Sequence, residues 1–526
     1  MEEKRYLHCK AVCTDSGSRL NQVERLPDGR LFTMACFGKV SQGGRFSREP
    51  VSQYVMGRVS EDEGRTWKTP TFVYELPDTI PMTLLGEFMI DRDGRIHAFF
   101  MRIWNIGWDD PALSRGDISY LRMDDETGRN PIYKKIDCLD RYTGSMNNLI
   151  QLESGRIVAP FSTIAGVPGS AFVSGVVYSD DGGDTWSVSN DVTVVSDETH
   201  LESGAVEPVV TEAAPGVLVM LIRTVLSRIW YSVSYDEGAS WLPAKPTRIP
   251  SSNAPSVPLK LPDGRILLSW NNVLGEPMQG VRYSFARQCL HAAVSSDGLK
   301  TLEGVRVIVR KRSSDPDDQL NCYPFASAAG NGEVFLRPFS VNNDGVHWGD
   351  VQATLLRLSP DDLLEKETRD GFDEWITDCP ADADCLRLRP TKENVAYACV
   401  NFPYAEEGEI TFSADRTEIP ENAKLLLADC YLDRLTFLPG KRKDTRADAI
   451  GRPYVEARLP EGGHWRIAWD AEKLTVTGNE TRDYPLRDWG RGFNHMILLF
   501  EGEGEMAIRD FHMKAVRTGM KTGIEY

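Results

Sequence analysis

Five residues whose side chains are suited to binding and proton transfer stand at the ends of apolar or β-rich segments. They are three arginines, a glutamate and a tyrosine: Arg19, Arg223, Arg287, Glu207 and Tyr323. Planar guanidinium groups hold a carboxylate through paired hydrogen bonds, and a glutamate can take the proton of a neighbouring tyrosine hydroxyl. Taken singly, an arginine at a strand end is more typical of a surface ion pair, and a tyrosine of a packed ring. The set is informative only if one fold brings its members together.

The positions of these residues relative to the predicted strands are regular. Arg223 directly follows the apolar run at residues 217–222, and Glu207 precedes it by 16 residues. Arg287 lies just before a predicted strand, and Tyr323 opens another. Residues at the ends of the inner strands of a repeat fold meet around its axis. A repeat that places these strand ends side by side would therefore gather the five side chains.

A glycine turn followed by an apolar strand recurs six times along the first part of the chain. An example is Leu-Pro-Asp-Gly-Arg-Leu-Phe at residues 26–32. The turn glycines are Gly29, Gly94, Gly155, Gly216, Gly264 and Gly332. Asp-Gly before a β-rich run is a strong hairpin signal, so each copy predicts a pair of antiparallel strands.

A second repeat, Ser-x-Asp-x-Gly-x-x-Trp, occurs at residues 60–67, 179–186 and 234–241, with a decayed copy at residues 295–302. Asp and Ser fix a turn by bonding nearby backbone groups, Gly permits a positive φ, and Trp folds back as an apolar plug. The motif is therefore a structural device and not a catalytic one. Three intact copies indicate a true repeat.

Each repeat reads as four strands, and six such units predict an all-β, six-bladed β-propeller. We assign it to residues 1–358. Residues 359–379 are rich in acids and begin with a helix-start pattern at Ser359-Pro360, so they predict an acidic connector. Residues 380–526 carry strand patterns without the repeat, and we predict a jelly-roll-like β-sandwich there. This accessory domain either binds carbohydrate or only packs against the propeller.

Composition narrows the range of partners. The 526 residues carry a net charge of −17, which argues against a broad surface for nucleic acid or anionic membranes. No apolar run is long enough to span a membrane. No signal peptide is visible, so we expect a cytoplasmic protein or a chain that has lost its leader. No phosphate loop, dinucleotide fingerprint or metal-binding motif is present, so we expect no cofactor and no metal. The oligomeric state is not predicted.

The two repeats together resemble the sialidase (neuraminidase) superfamily, whose six-bladed propellers carry Ser-x-Asp-x-Gly-x-x-Trp motifs known as Asp boxes or BNR repeats. The resemblance implies a glycoside hydrolase of the exo-sialidase type, which removes a terminal acidic sugar from a glycan. It implies that Arg19, Arg223 and Arg287 bind the sugar carboxylate. It also implies that Tyr323 and Glu207 act as a pair at the anomeric carbon, which is the tyrosine exception to two-carboxylate glycoside hydrolysis.

Three features depart from the family pattern. Arg19 is followed by Leu-Asn where the family has Ile-Pro. The loop at residues 38–53, where the family carries an Asp as general acid, contains only Glu49. The strand Val-Phe-Leu-Arg-Pro-Phe at residues 334–339 lacks the family's glutamate after the tyrosine. We therefore expect Glu49, or Asp109 in the equivalent loop of the second blade, to serve as the acid/base.

Two other functions remain open from the sequence. His200, in an acidic loop before the fourth inner strand, is a candidate substrate contact. His, Tyr and Arg together also suit a lyase for uronic acids, or a glycosidase for rhamnose-containing glycans, on the same scaffold. A non-catalytic carbohydrate-binding propeller is the third possibility. Arg228 and Arg282 are lower-ranked arginines nearby, and Asn253 is a candidate pocket residue or a turn residue.

Overall fold

The computed structural model is dominated by β-strands. It describes residues 4–16, 20–38, 50, 52–105, 113–139, 141, 143–167, 170–196, 203–273, 287–312, 314–315, 319–343, 348–364, 369–372, 374–377, 379, 384–391, 394–414, 420, 422–437, 454–487 and 489–526. The α-helix in this part of the chain is one turn, Pro360–Leu363, which begins after Ser359 as its sequence predicts.

Six antiparallel sheets, each built on four strands and two of them with a short fifth strand, follow one another along the chain. The strand before the first blade is β1 (Lys10–Ser16). Blade one contains β2 (Val23–Arg25), β3 (Leu31–Gly38), β4 (Gln53–Ser60) and β5 (Phe72–Glu75). Blade two contains β6 (Met82–Ile90), β7 (Ile96–Asn105), β8 (Arg115–Met123) and β9 (Ile132–Lys135). Blade three contains β10 (Thr143–Ser145), β11 (Ile150–Gln151), β12 (Ile157–Val167), β13 (Ser170–Ser179) and β14 (Ser187–Val188).

The remaining blades have the same plan. Blade four contains β15 (Val206–Ala214), β16 (Val217–Arg223), β17 (Arg228–Ser234) and β18 (Lys245–Pro250). Blade five contains β19 (Val257–Lys260), β20 (Ile266–Trp270), β21 (Leu290–Ser295) and β22 (Thr301–Val309). Blade six contains β23 (Gln319–Gly330), β24 (Glu333–Asn343) and β25 (Trp348–Leu358). Its fourth strand is β1, which pairs with β25 and closes the ring. The predicted six-bladed propeller is confirmed.

The Asp boxes have the local structure that their residue types predict. In blade three, Ser179 Oγ donates to Asp181 Oδ1 at 2.8 Å and accepts the Gly183 amide at 2.8 Å. Asp181 also accepts the Thr185 amide at 2.8 Å and the Thr185 hydroxyl at 2.5 Å. The Trp186 ring packs at 5.1 Å from Tyr120 of blade two. Each box therefore fixes a turn and presents an aromatic ring to the neighbouring blade.

A seventh sheet, of eleven described strands, forms the C-terminal part of the molecule. The strands are β26 (Arg369–Asp370), β27 (Ile376–Thr377), β28 (Leu386–Leu388), β29 (Val395–Ala414), β30 (Lys424–Ala428), β31 (Tyr454–Arg458), β32 (His464–Trp469), β33 (Lys473–Thr477), β34 (Thr481–Pro485), β35 (Phe493–Glu501) and β36 (Met506–Thr518). The long β29 pairs with β35 in its first half and with β32 and β36 further on, so the sheet folds back over one apolar core. This agrees with the predicted β-sandwich.

Short strands at both ends of the C-terminal part bear on where the propeller and the C-terminal sheet divide. Strands β26 and β27 lie within residues 359–379 and already pair with β36 and β29, so part of the expected connector contributes to the sheet. A last strand, β37 (Met520–Lys521), leaves the sheet and pairs with β22 of blade five. The division of the chain at residues 358/359 and 379/380 stays a prediction.

The propeller and the C-terminal sheet share a buried interface. The Asn272 carbonyl accepts the Tyr431 amide at 2.9 Å, and Asn401 Oδ1 accepts the Val307 amide at 2.9 Å. Between these contacts, His291 of blade five and His495 of β35 are fully buried, with their Nε2 atoms 3.5 Å apart. The two parts are thus joined by hydrogen bonds and apolar packing.

Candidate active site

The glutamate and arginine of blade four come together at the start of its first strand. Glu207 is the second residue of β15, and Arg223 is the last residue of β16 and pairs in register with Val206. Glu207 has a φ of +43°, an uncommon conformation for a residue other than glycine. Arg223 Nη1 donates to Glu207 Oε2 at 2.5 Å, with the side chains 3% and 13% exposed. The two residues form a nearly buried ion pair at the strand end.

Tyr323 reaches the same point from blade six. The register of β23 against β24 shifts between Cys322 and Phe325, so Tyr323 lies in a bulge, and its φ is +49°. Bulges re-aim a side chain and are common beside active sites. The Tyr323 hydroxyl donates to Glu207 Oε1 at 3.1 Å and accepts from Arg223 Nη1 at 3.3 Å. Tyrosine, glutamate and arginine therefore form one hydrogen-bonded group.

Arg287 and Asn253 complete this group from blade five. The Arg287 guanidinium lies 5.3 Å from the centre of the Tyr323 ring, and the residue is 1% exposed. Arg287 Nη2 donates to the Asn253 carbonyl, while Asn253 Oδ1 accepts from Arg223 Nε at 2.7 Å. Asn253, which the sequence left open between pocket and turn, thus connects the two arginines.

A buried amide network fixes the segments that carry Arg287 and Tyr323. The Asn321 amide donates to the Arg287 carbonyl at 2.7 Å, and Asn321 Nδ2 donates to the Gln288 carbonyl at 2.8 Å. Asn271 Nδ2 in turn donates to the Asn321 carbonyl at 2.8 Å. Such second-layer bonds hold the groups above them in a defined geometry. Asn271 therefore has a supporting role.

The surroundings of Tyr323 keep its hydroxyl protonated. Desolvation raises the pKa of Tyr323 to about 12, the Glu207 charge adds to the rise, and Arg223 and Arg287 oppose it. The phenol is therefore neutral at ordinary pH. Glu207 is the base within reach, because it already accepts the hydroxyl hydrogen bond. The group can move a proton from Tyr323 to Glu207 while two guanidinium groups hold an anion beside it.

The structure brings together four of the eight residues that the sequence singled out: Tyr323, Glu207, Arg223 and Arg287. The other four, Arg19, Glu49, Asp109 and His200, lie outside the described residues, as does Arg282. Arg228 is not part of this group. Burial and the charge of Arg491 lower the pKa of its guanidinium, and the charge of Asp429 opposes that shift.

Sequence reasoning missed a second polar group beside Tyr323. Arg337 of β24, Glu87 of β6, and Gln22 and Glu24 of blade one form this group, and Gln22 Nε2 donates to Glu24 Oε1 at 2.6 Å. The sequence feature that could have indicated this group is the strand at residues 334–339, which contains Arg337 but lacks the glutamate expected from the family pattern.

The described part of the chain contains neither a cluster suited to a metal ion nor a helix suited to span a membrane. None of its His, Cys, Asp and Glu side chains gather in groups of three or more that could hold a metal ion. None of its helices has the length and apolar character needed to cross a membrane.

The repeats and the ring of six sheets define the molecule as an Asp-box, six-bladed β-propeller with a polar site at its strand ends. Residues 88–336 match the family model described as a BNR repeat-like domain, which confirms the predicted BNR propeller. No curated protein matches the chain with significance.

Several solved structures are similar to the chain at low sequence identity. One is a protein of unknown function from Dyadobacter fermentans, with 16% identity over 67% of this chain and 99% of that chain, and a TM-score of 0.47. Another is the Trypanosoma rangeli sialidase in complex with the inhibitor DANA, with 11% identity, 96% of each chain covered and a TM-score of 0.42. A third is the NanB sialidase of Streptococcus pneumoniae, with 12% identity over 68% of this chain and 71% of that chain, and a TM-score of 0.48.

Proposed function

We propose that the protein is a sialidase-like exo-glycosidase that hydrolyses a terminal acidic sugar from a glycan. The observation that carries the proposal is the Tyr323–Glu207 hydrogen bond of 3.1 Å, flanked by Arg223 and Arg287. A carboxylate nucleophile would be repelled by the acid group of such a sugar. A neutral tyrosine hydroxyl avoids that repulsion and becomes nucleophilic as it loses its proton.

The proposed reaction has two steps that balance in protons. Arg223 and Arg287, with Arg19, hold the sugar carboxylate, and His200 adds a polar contact to the sugar. The Tyr323 oxygen bonds to the anomeric carbon and passes its proton to Glu207, while Glu49 or Asp109 protonates the departing glycan oxygen. Water then attacks the same carbon, gives its proton to that acid/base residue, and the bond to Tyr323 breaks as Glu207 returns the proton.

A panel of chromogenic glycosides tests this function, beginning with the sialic acid glycoside and including glucuronide and rhamnoside members. We expect the wild type to hydrolyse an acidic glycoside and Tyr323→Phe to lose most of that turnover. Tyr235→Phe is the matched control, because Tyr235 is 57% exposed on the Asp-box turn of blade four. Unchanged turnover in Tyr323→Phe would contradict the nucleophile assignment.

Two other results would replace the proposal. Release of an unsaturated uronate, seen as ultraviolet absorbance without hydrolysis, would mark a lyase. Binding of acidic sugars without turnover of any glycoside would mark a carbohydrate-binding propeller.

A further inference from the structure

Arg337 is a fully buried cation that forms no ion pair with the described residues. It is 1% exposed, and Glu87 acts on it only through its charge, without an ion-pair contact. Its Nη2 donates to Asn21 Oδ1, while Nε and Nη1 have no hydrogen-bond partner in the described structure. Burying an uncompensated charge and leaving its donors unsatisfied are both costly, so such a group calls for a functional explanation.

The guanidinium of Arg337 is held in one orientation by aromatic rings. It lies 4.3 Å from the centre of the Phe325 ring and 3.8 Å from that of Phe339. Two such stacking contacts offset part of the desolvation and fix the guanidinium plane. They leave Nε and Nη1 of Arg337 without a hydrogen-bond partner in the described structure. Arg337 is therefore pre-organised rather than loosely packed.

Arg337 stands next to Tyr323 across the two strands of blade six. The register pairs on either side of the Tyr323 bulge are Cys322 with Phe339 and Phe325 with Arg337. Tyr323 and Phe339 also pack against the same small apolar cluster. Asn21, the one hydrogen-bond partner of Arg337, comes two residues after Arg19. Arg337 thus lies on the side of the site where the first blade's arginine is expected.

The described acid whose charge acts on Arg337 is Glu87 of blade two, and the two side chains form no ion pair. Glu87 is 5% exposed, and burial together with the charge of Glu24 raises the pKa of its carboxyl well above the usual range. That shift favours the protonated, uncharged form of the carboxyl. Burial also lowers the pKa of Arg337 to about 9, which is the expected direction for a cation that lacks a partner.

We infer that Arg337 is a further ligand-binding arginine of this site, whose unfilled donors take an anionic oxygen of the acidic sugar opposite Arg223 and Arg287. The inference rests on the proposed function, because the ligand is the same acidic sugar. It adds a residue that stands where the family pattern has a glutamate. The bound anion would supply the counter-charge that the protein lacks.

Arg337→Met separates a binding role from a structural one. Methionine fits between two aromatic rings, and replacing a buried unpaired charge by an apolar side chain is often neutral or stabilising. We therefore expect a melting temperature equal to or above that of the wild type. Arg102→Met is the matched control, because Arg102 is 7% exposed and bonds both oxygens of Asp117 at 2.7 Å. That variant removes the bidentate partner of a buried carboxylate, which keeps only the more distant Lys135 Nζ at 3.5 Å, and it should melt at a lower temperature.

Calorimetric titration with sialic acid, glucuronic acid and neutral N-acetylglucosamine gives the second measurement. We expect Arg337→Met to bind the acidic sugar at least about 10-fold more weakly than the wild type, since a charge-assisted hydrogen bond is lost. Arg337→Lys keeps the charge and should bind more tightly than Arg337→Met but melt at a lower temperature. The two variants should therefore rank in opposite orders for binding and for stability.

Three results would overturn the inference. Wild-type affinity for the acidic sugar in Arg337→Met would do so and leave the proposed function intact. A loss of stability in Arg337→Met equal to that in Arg102→Met, with unchanged binding, would mark a structural residue. Failure of the wild type to bind either acidic sugar would remove the proposed function and this inference together.

Discussion

Glu207 is the residue on which the proton chemistry of the site depends. It accepts from Tyr323 with one oxygen and from Arg223 with the other, so it is oriented by both partners. The phenol, with its pKa raised to about 12, does not ionise unaided near neutral pH. A base in contact with the hydroxyl is therefore required for attack.

Replacing Glu207 by glutamine should lower kcat on an acidic glycoside by about 10²–10⁴-fold with little change in KM, because a positioned general base contributes that range. Steady-state kinetics measures both constants. Glu212→Gln is the control: Glu212 lies on the same strand and pairs with Lys260 at 2.5 Å, away from the site. A wild-type kcat for Glu207→Gln would show that the proton of Tyr323 goes elsewhere.

The resemblance to the sialidase superfamily implies Tyr323 and Glu207 as a pair although they are 116 residues apart, and the repeat explains how strand ends so distant in the chain can meet. The role of Arg337 could not be predicted in this way. Its type is visible in the sequence, but its burial, its two stacking rings and its unfilled donors depend on where blades six, one and two meet. Local patterns carry no information about a missing partner.

At the scale of elements, the decayed Asp box of blade five shows how one motif is replaced by another contact. It keeps Ser295 and Asp297, whose side chains bond at 2.9 Å, but has Leu302 where the intact boxes have Trp. The C-terminal segment covers this turn. The Tyr526 hydroxyl donates to the Gly298 carbonyl at 3.1 Å, and Lys300 Nζ lies 4.3 Å from the Tyr526 ring centre.

Tyr526→Ala should lower stability by about 2 kcal/mol, since a cation–π contact, one hydrogen bond and ring packing are lost. Calorimetry should show the melting temperature falling by a few degrees. Tyr526→Phe keeps the ring and should lose less than half as much. Equal melting temperatures for wild type and Tyr526→Ala would mean that the tail does not support blade five.

Strands with strong local signals are predicted closely, and short or bent ones are not. The runs at residues 424–428, 464–469 and 473–477 coincide with β30, β32 and β33. The twenty-residue β29 changes partners along its length, and β37 has two residues. Both depend on distant pairing, which a hydrophobic pattern does not encode.

At the scale of the whole molecule, the His291–His495 pair makes the interface sensitive to acid. Trp270, Tyr431 and Asn401 surround the pair, and the thiols of Cys289 and Cys399 belong to the adjacent apolar cluster. The segment that carries Tyr431 also holds Asp433, which accepts from the Tyr431 hydroxyl at 3.3 Å, and Asp429, whose Oδ2 lies 3.0 Å from Arg491 Nε. Burial lowers the pKa of His495 to about 3 and holds that of His291 well below its usual value.

Because both pKa values are lower in the folded state, unfolding takes up protons once the pH falls below about 6.5. As the pH is lowered further, the free energy of unfolding should fall by up to about 1.4 kcal/mol per pH unit for each histidine. For His495 this decrease should continue down to about pH 3. Glu24 acts in the opposite direction, since burial raises its pKa to about 7 and it stabilises the fold at low pH. Only a comparison of variants separates the contribution of the histidines to the pH dependence of stability from that of Glu24.

Thermal unfolding of wild type and His495→Gln between pH 8 and pH 4 makes that comparison. We expect a flatter decline in melting temperature for His495→Gln, since glutamine keeps a polar group but does not titrate. His464→Gln, at an exposed position on β32, should follow the wild type. Parallel curves for His495→Gln and wild type would rule out the interface as the acid-sensitive part.

The closure of the ring by β1 also bears on how the chain is made. During synthesis β1 leaves the ribosome before blade one, but its partner β25 follows more than 300 residues later. At roughly 5–20 residues per second this delay is on the order of tens of seconds, during which an unpaired strand edge is exposed. Blade five receives its last strand, β37, later in the chain than this. The sheet of blade five is therefore complete only after translation has passed through the C-terminal sheet, so these two parts mature together rather than in turn.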